Sequence, residues 1–149
     1  MRITDQIEKD FILAYKNKEN EKVAVLRLIK AAFKNRQVEL KRELSDAEAL
    51  DVLIREVKQR QESVRQYSQA GREDLSSKES AEIEMINAYL PAKLTTEEMK
   101  EVALETINRL QVRDLKGMGQ VMKVIGQKYP GRTDGRELSV IVRGLLSPQ

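Results

Sequence analysis

Apolar positions recur every three or four residues along this chain, in blocks separated by short polar or glycine- and proline-bearing breaks. The block that organises the rest runs from Ser45 to Pro91. It reads as a long helix, a break at Ala70-Gly71-Arg72, and a second helix closed by Tyr89-Leu90-Pro91. Ser45 with Glu48 has the form of a capping box. The hydroxyl takes one unpaired N-terminal amide and the carboxylate reaches back to another, so a helix is expected from Asp46. Leu50, Leu53, Ile54, Val57 and Val64 gather on one side of that helix, while Arg55, Lys58, Gln59, Glu62, Arg65, Gln66 and Gln69 gather on the other. Arg60 and Gln61 fall inside the apolar sector. A buried guanidinium is costly unless it is paired or its head reaches water, so a carboxylate partner is expected for Arg60.

The same pattern extends in both directions. Thr4 is expected to cap a first helix with Ile7, Phe11, Ala14 and Tyr15 inward, and Asn20 a second with Leu26, Ile29, Phe33 and Leu40 inward. Arg27, Lys30, Lys34 and Lys41 form one stripe on that second helix, either a solvated face or an RNA-contacting one. Arg36 lies near the centre of its apolar sector, as Arg60 does. Internal ion pairing of both arginines with carboxylates of a neighbouring helix, such as Glu79 or Glu82, is expected. Past Gly71, suited to the left-handed conformation that ends a helix, Asp74 or Ser76 is expected to cap the next one, with Ile83, Ile86 and Leu90 inward. Pro91 stops it.

Pro91-Ala92-Lys93 is the best boundary in the sequence, dividing it into 1–91 and 92–149. Beyond it Thr95 and Glu98 form another capping box, with Leu94 placed to pack on Met99. Met99, Val102, Ala103, Ile107 and Leu110 face inward. A loop from Gln111 to Lys116 leads to Gly117-Met118-Gly119 and a stripe of Met118, Val121, Met122, Ile125 and Tyr129. After Pro130-Gly131, Asp134 with Glu137 opens a last helix carrying Leu138, Ile141, Val142, Leu145 and Leu146. No alternating strand pattern occurs. The expected class is all-α: an N-terminal multi-helix subdomain followed by a C-terminal three-helix bundle.

Composition agrees. The chain has 149 residues, 34% of them charged, with no Trp and two Phe, so Leu, Ile, Val and Ala must supply a core suited to helix-on-helix packing. Cys and His are both absent, which excludes disulfides, thiolate chemistry and the ligands on which most zinc sites depend. No metal, cofactor or membrane segment is expected, and a cytoplasmic location is. Residues 1–91 carry 17 basic and 17 acidic side chains against 10 and 7 in residues 92–149, so the net charge of +3 resides entirely in the C-terminal part. That bias permits an anionic partner such as RNA.

Neither a Ser-His nor a Cys-His arrangement can be built, and no phosphate-cradling motif of the P-loop kind is present, so no self-contained active site is expected. Gly119 and Gly126 share a helix face with Lys116 and Lys123. Glycine inside a helix costs about 1 kcal/mol relative to Ala, which leaves two explanations. One is close packing against another helix. The other is a bare surface that a sugar-phosphate backbone approaches, with Lys116, Lys123, Lys128, Arg132 and Arg136 on the phosphates. A protein-interaction module without RNA affinity is the competing reading, motivated by the neutral charge of residues 1–91.

Arg27 and Asn35, Lys58-Gln59-Arg60 and Ser63, Tyr67, Ala70-Gly71-Arg72, Asp74-Leu75, Glu79, Glu82 and Tyr89-Leu90-Pro91 together resemble the YqeY family. Met118-Gly119 with Val121-Met122, then Gly131-Arg132 and Asp134-Gly135, is similar to that family's C-terminal signature, departing from it at Gly117, where Asp is common, and Gln120, where Lys is common. The resemblance implies a GatB/YqeY-like fold, related to the tail of the GatB subunit of glutamine-dependent aminoacyl-tRNA amidotransferases, a tail that engages tRNA. It implies tRNA as a partner, together with an amidotransferase or aminoacyl-tRNA synthetase component. The associated carbon-nitrogen ligase activity, with glutamine as amido donor, belongs to a domain this chain does not resemble.

Overall fold

A computed structural model describes residues 1–148, and its contacts group the chain into two compact units that meet between Leu90 and Pro91. The described residues contain helices and no strand, so the protein is all-α. The first unit holds α1 (Ile3–Lys16), α2 (Asn20–Leu40), α3 (Asp46–Gln69) and α4 (Glu73–Asn87). The second holds α5 (Thr96–Leu110), a single 3₁₀ turn at Leu115–Gly117, α6 (Met118–Lys128) and α7 (Gly135–Leu146).

The helices with the clearest start signals begin as those signals dictate. Ser45 Oγ accepts from the Glu48 amide at 3.2 Å while Glu48 Oε1 accepts from the Ser45 amide at 3.0 Å, and α3 starts at Asp46. Thr95 and Glu98 make the same reciprocal pair at 3.1 and 3.0 Å, and Asp134 accepts from the Glu137 amide at 3.0 Å. Three other expected caps do not form. Thr4 lies inside α1, whose leading amide at Ile3 instead donates to Asp46 at the start of α3, 3.0 Å away. Asn20 is the first residue of α2, not its cap. Neither Asp74 nor Ser76 caps α4: the helix starts earlier, at Glu73, and Ser76 is buried with its hydroxyl 2.9 Å from that of Ser68. A tertiary partner thus displaces the local cap at two of these three sites.

Two cores result. In the first unit Ile7, Leu26, Ile29, Leu44, Leu53 and Ile86 are almost completely buried and pack with Phe33, Val52 and Val57. In the second, Met99, Ala103, Val121, Ile125, Leu138 and Val142 do the same, with Leu94 in the cluster beside Met99. Each fully buried large side chain contributes about 1.5–3 kcal/mol. On α3 the inward row is Ala49, Val52, Leu53, Val57 and Arg60, so the apolar sector is rotated from the expected one and Leu50, Ile54 and Val64 are only half-buried.

The junction between α2 and α3 is electrostatic. Arg42 forks onto the Glu48 carboxylate at 2.6 and 2.7 Å, and these bonds, with those from Ser45, hold the Glu48 pKa down at about 2. A carboxylate whose folded pKa is lowered stabilises the fold above its unfolded value and loses that contribution as pH falls through the folded one. Glu48→Gln is therefore expected to lower the urea midpoint at pH 7. The gap to the parent protein should close between pH 4.5, the ordinary value, and about 2, as followed by urea titrations across acid pH.

Candidate functional site

Cations are arranged differently in the two units. In the first, Arg2, Lys30, Arg36, Arg42, Arg60, Arg65 and Arg72 all lie in ion pairs. In the second, the one pair among the described residues joins Lys100 to Glu97 at 3.8 Å. Lys116, Lys123, Lys128 and Arg136 are exposed and have no acidic partner within 4.0 Å among the described residues. Gly119 and Gly126 are exposed with them, and a Cβ built on either would meet nothing within 4 Å. Helix-on-helix packing therefore does not explain those glycines, and the backbone of α6 is open along that face. Gly117 is different, since a Cβ there would fall 2.3 Å from Val112 Cγ1, so the Asp common at this position in the family pattern would require the Val112 side chain to move.

Arg132 is half-buried and already employed. Its Nε donates to the Ala92 carbonyl at 2.9 Å and its own carbonyl accepts from the Leu94 amide at 2.7 Å, which ties the segment before α5 to the α6–α7 turn. Its guanidinium and the Lys128 ammonium also lie 5.7 and 5.6 Å from the Tyr129 ring centroid. The basic stripe expected on α2 is broken up in a similar way. Lys41 turns out of the helix in a left-handed conformation at φ 58°, Lys30 pairs with Glu8 at 2.9 Å, and Arg27 and Lys30 sit over Phe11.

A second constellation lies in the first unit, where α2, α3 and α4 line a solvent-open pocket of about 500 Å³. Leu28, Ala31, Ala32 and Asn35 come from α2, Glu56, Gln59, Arg60 and Ser63 from α3, and Glu79 and Glu82 from α4. Arg60 does have the carboxylate partner expected for it, but the nearer one is on its own helix: Nη1 meets Glu56 at 2.7 Å, while Nε stops 3.6 Å from Glu82. Glu79 forms no ion pair among the described residues. Burial, and then the neighbouring Glu82 carboxylate, push its pKa up against the opposing pull of Arg60. Arg36 is not part of this cluster. It is only half-buried and pairs with Glu39 one turn along α2 at 2.7 Å, because its position lies at the edge of the buried sector and its head reaches water.

The profile of the family described as Yqey-like protein matches residues 4–146. The chain belongs to the YqeY family. Among curated relatives, Altered inheritance of mitochondria protein 41, mitochondrial, of Candida glabrata is 32% identical over 110 residues, 70% of this chain and 60% of that protein. The protein of the same name in Eremothecium gossypii is 32% identical over 87 residues, covering 58% of this chain and 48% of its own length. The chain thus spans only about half to three-fifths of the relatives it matches. Among the described residues no helix is long and apolar enough to cross a membrane.

Asn35, Gln59, Arg60, Ser63, Glu79 and Glu82, scattered over three helices and all among the residues that carry the resemblance, line the one space. Sequence reading took the charged members as internal ion pairs. Their convergence with Asn35, Gln59 and Ser63 had no local signal beyond the helical spacing of Gln59 and Ser63 on α3.

Two stability outcomes follow. Glu79 has a folded pKa above its unfolded one, so its ionisation disfavours the fold as pH rises. Glu79→Gln is expected to raise the urea midpoint at pH 7, with the advantage shrinking as pH falls from the raised folded value to the ordinary carboxylate one and absent below it. Gly126→Ala is expected to raise stability by up to about 1 kcal/mol, since α6 gains a better helix former with open space around it. Thermal and urea melts read both.

Proposed function

We propose that this YqeY-family chain is a cytoplasmic accessory protein that binds tRNA through the open, lysine-edged face of α6, in association with glutamine-dependent tRNA amidation carried out by a partner. The observation that carries the reading is the set of uncompensated cations in the second unit. Lys116, Lys123, Lys128 and Arg136 are exposed with no acidic partner among the described residues, beside helix backbone left bare at Gly119 and Gly126. Exposed cations without counter-charges attract a polyanion and release its counterions, and contacts of this kind read charge and shape more than base sequence. Arg132 contributes less to such a face, because its Nε is held by the Ala92 carbonyl. The remaining groups bind and orient, and the chemistry of amidation is left to the partner.

Titration of labelled tRNA with the full chain over a series of salt concentrations tests this. Lys116→Glu with Lys123→Glu is expected to weaken binding and to flatten the slope of log affinity against log salt by about 0.7–0.9 for each phosphate contact removed. Gly126→Ala should weaken binding while stabilising the fold. An unchanged slope in the double variant would remove the α6 face from the reading. Failure of the parent protein to bind tRNA at low salt would leave a protein-interaction module as the better account.

A further inference from the structure

The outward face of α2 carries a pattern that the fold of the first unit does not use. Ala24, Leu28, Ala31, Asn35 and Val38 recur at spacings of four, three, four and three, and all of them are exposed, Leu28 at 54% and Val38 at 67%. The buried row of the same helix, Val25, Leu26, Ile29 and Phe33, serves the core. Alternating steps of three and four mark the a and d positions of a heptad, with Leu28 and Asn35 at a and Ala24, Ala31 and Val38 at d. Such a row stays in line along the helix, here for roughly 21 Å at a rise of 1.5 Å per residue. Single apolar side chains scattered on a surface mean little, whereas a heptad row is what a second helix laid alongside requires. Leu28, Ala31 and Asn35 also form the α2 wall of the solvent-open pocket, so the approach to them is clear.

The charges along the two edges of this row decide which helix fits. On one edge stand Arg27 and Lys34, and Lys34 is exposed with no acidic partner within 4.0 Å among the described residues. On the other stands Glu39, whose partner is Arg36 of its own helix, and past that edge Glu79 and Glu82 line the pocket. A row that is basic on one side and acidic on the other complements itself when two copies lie side by side and point the same way. A two-fold axis along the helices then sets Lys34 of each copy against Glu39 of the other, the usual pairing of flanking positions in parallel two-stranded coils. It also sets Asn35 against Asn35, where the two amides hydrogen-bond each other and fix the register. Antiparallel pairing would match basic edge to basic edge and leave the Asn35 amide against Leu28, which costs on both counts.

We propose that α2 is the docking surface for a second copy of this chain, the two α2 helices pairing in parallel along Ala24, Leu28, Ala31, Asn35 and Val38. The small side chains of Ala24 and Ala31 let the helices approach closely. Each α2 is already held by its own core, so association does not bear the cost of starting a helix. The row is short, which places the dimer among the small interfaces that form and dissociate readily.

Sedimentation equilibrium of the full chain, from low micromolar to near-millimolar concentration, tests this. A monomer–dimer equilibrium is expected, and Leu28→Lys with Val38→Lys, which removes both large apolar side chains of the row without touching the core, should weaken it about tenfold or more. Lys34→Glu alone and Glu39→Lys alone should each weaken the dimer, and the two together should restore it, because the exchange preserves the match between opposite edges. The chain has no cysteine of its own, so Asn35→Cys reports the register: it should form a disulfide-linked dimer under mild oxidation faster than Val140→Cys on α7 does. Lys116→Glu with Lys123→Glu should leave the dimer unchanged, which separates this surface from the RNA face. A chain that stays monomeric throughout would give the row to a different protein and overturn the proposal, as would a dimer indifferent to Leu28→Lys with Val38→Lys or one that the paired exchange does not restore.

Discussion

Taking the Arg60 guanidinium out of water is the constraint around which the first unit is built. A buried cation stripped of its hydration is tolerated only beside carboxylates held close to it, and two helices must be locked together to hold them. Glu56 comes from one turn earlier on α3, and Glu82 has to be delivered by α4. That requirement fits the topology: α3 and α4 form the most extensive helix pair, joined by a short turn in which Gly71 adopts φ 72° and reverses the chain. The apolar core below them, from Leu53 to Ile86, supplies the free energy that the polar cluster itself does not.

The two units put their charges to opposite uses. In the first, acidic and basic residues are equal in number, and six of the eight arginines lie in ion pairs, three of which pin helix starts and junctions: Arg2 to Glu43, Arg42 to Glu48, Arg72 to Asp74. Most of these are exposed, and each is worth little alone. In the second, the pairing is sparse and the cations of α6 and α7 are left to the solvent. A surface whose positive charge is not neutralised internally keeps its long-range field, whereas paired charges cancel within a few ångströms.

Much of the architecture was legible in the sequence because its signals are local. Ser45–Glu48, Thr95–Glu98 and Asp134 act within a single turn, so nothing distant competes with them. Thr4 and Ser76 were misleading because tertiary partners at Asp46 and Ser68 redirect those segments. The ends of α2 and α5 carried no mark either, since Lys41 and Gln111 take the left-handed conformation that glycine usually supplies. Arg36 and Arg60 look alike by periodicity, and what separates them is whether a second helix lies across the position. The polar cavity escaped notice for the same reason. It is a property of three helices meeting, and no single helix encodes it.

Tyr89, two residues before the proline at the boundary, sends its hydroxyl 2.6 Å to the Asp10 carboxylate on α1, and burial, then the acidic neighbour, keep the phenol protonated far above neutrality. The exit of the first unit is thereby fastened to its opening helix as well as to α4, where the Tyr89 and Leu90 amides donate to the Ile86 and Asn87 carbonyls. Tension applied through the linker would therefore be shared by α1 and α4, the first and last helices of the unit, and neither could peel away alone.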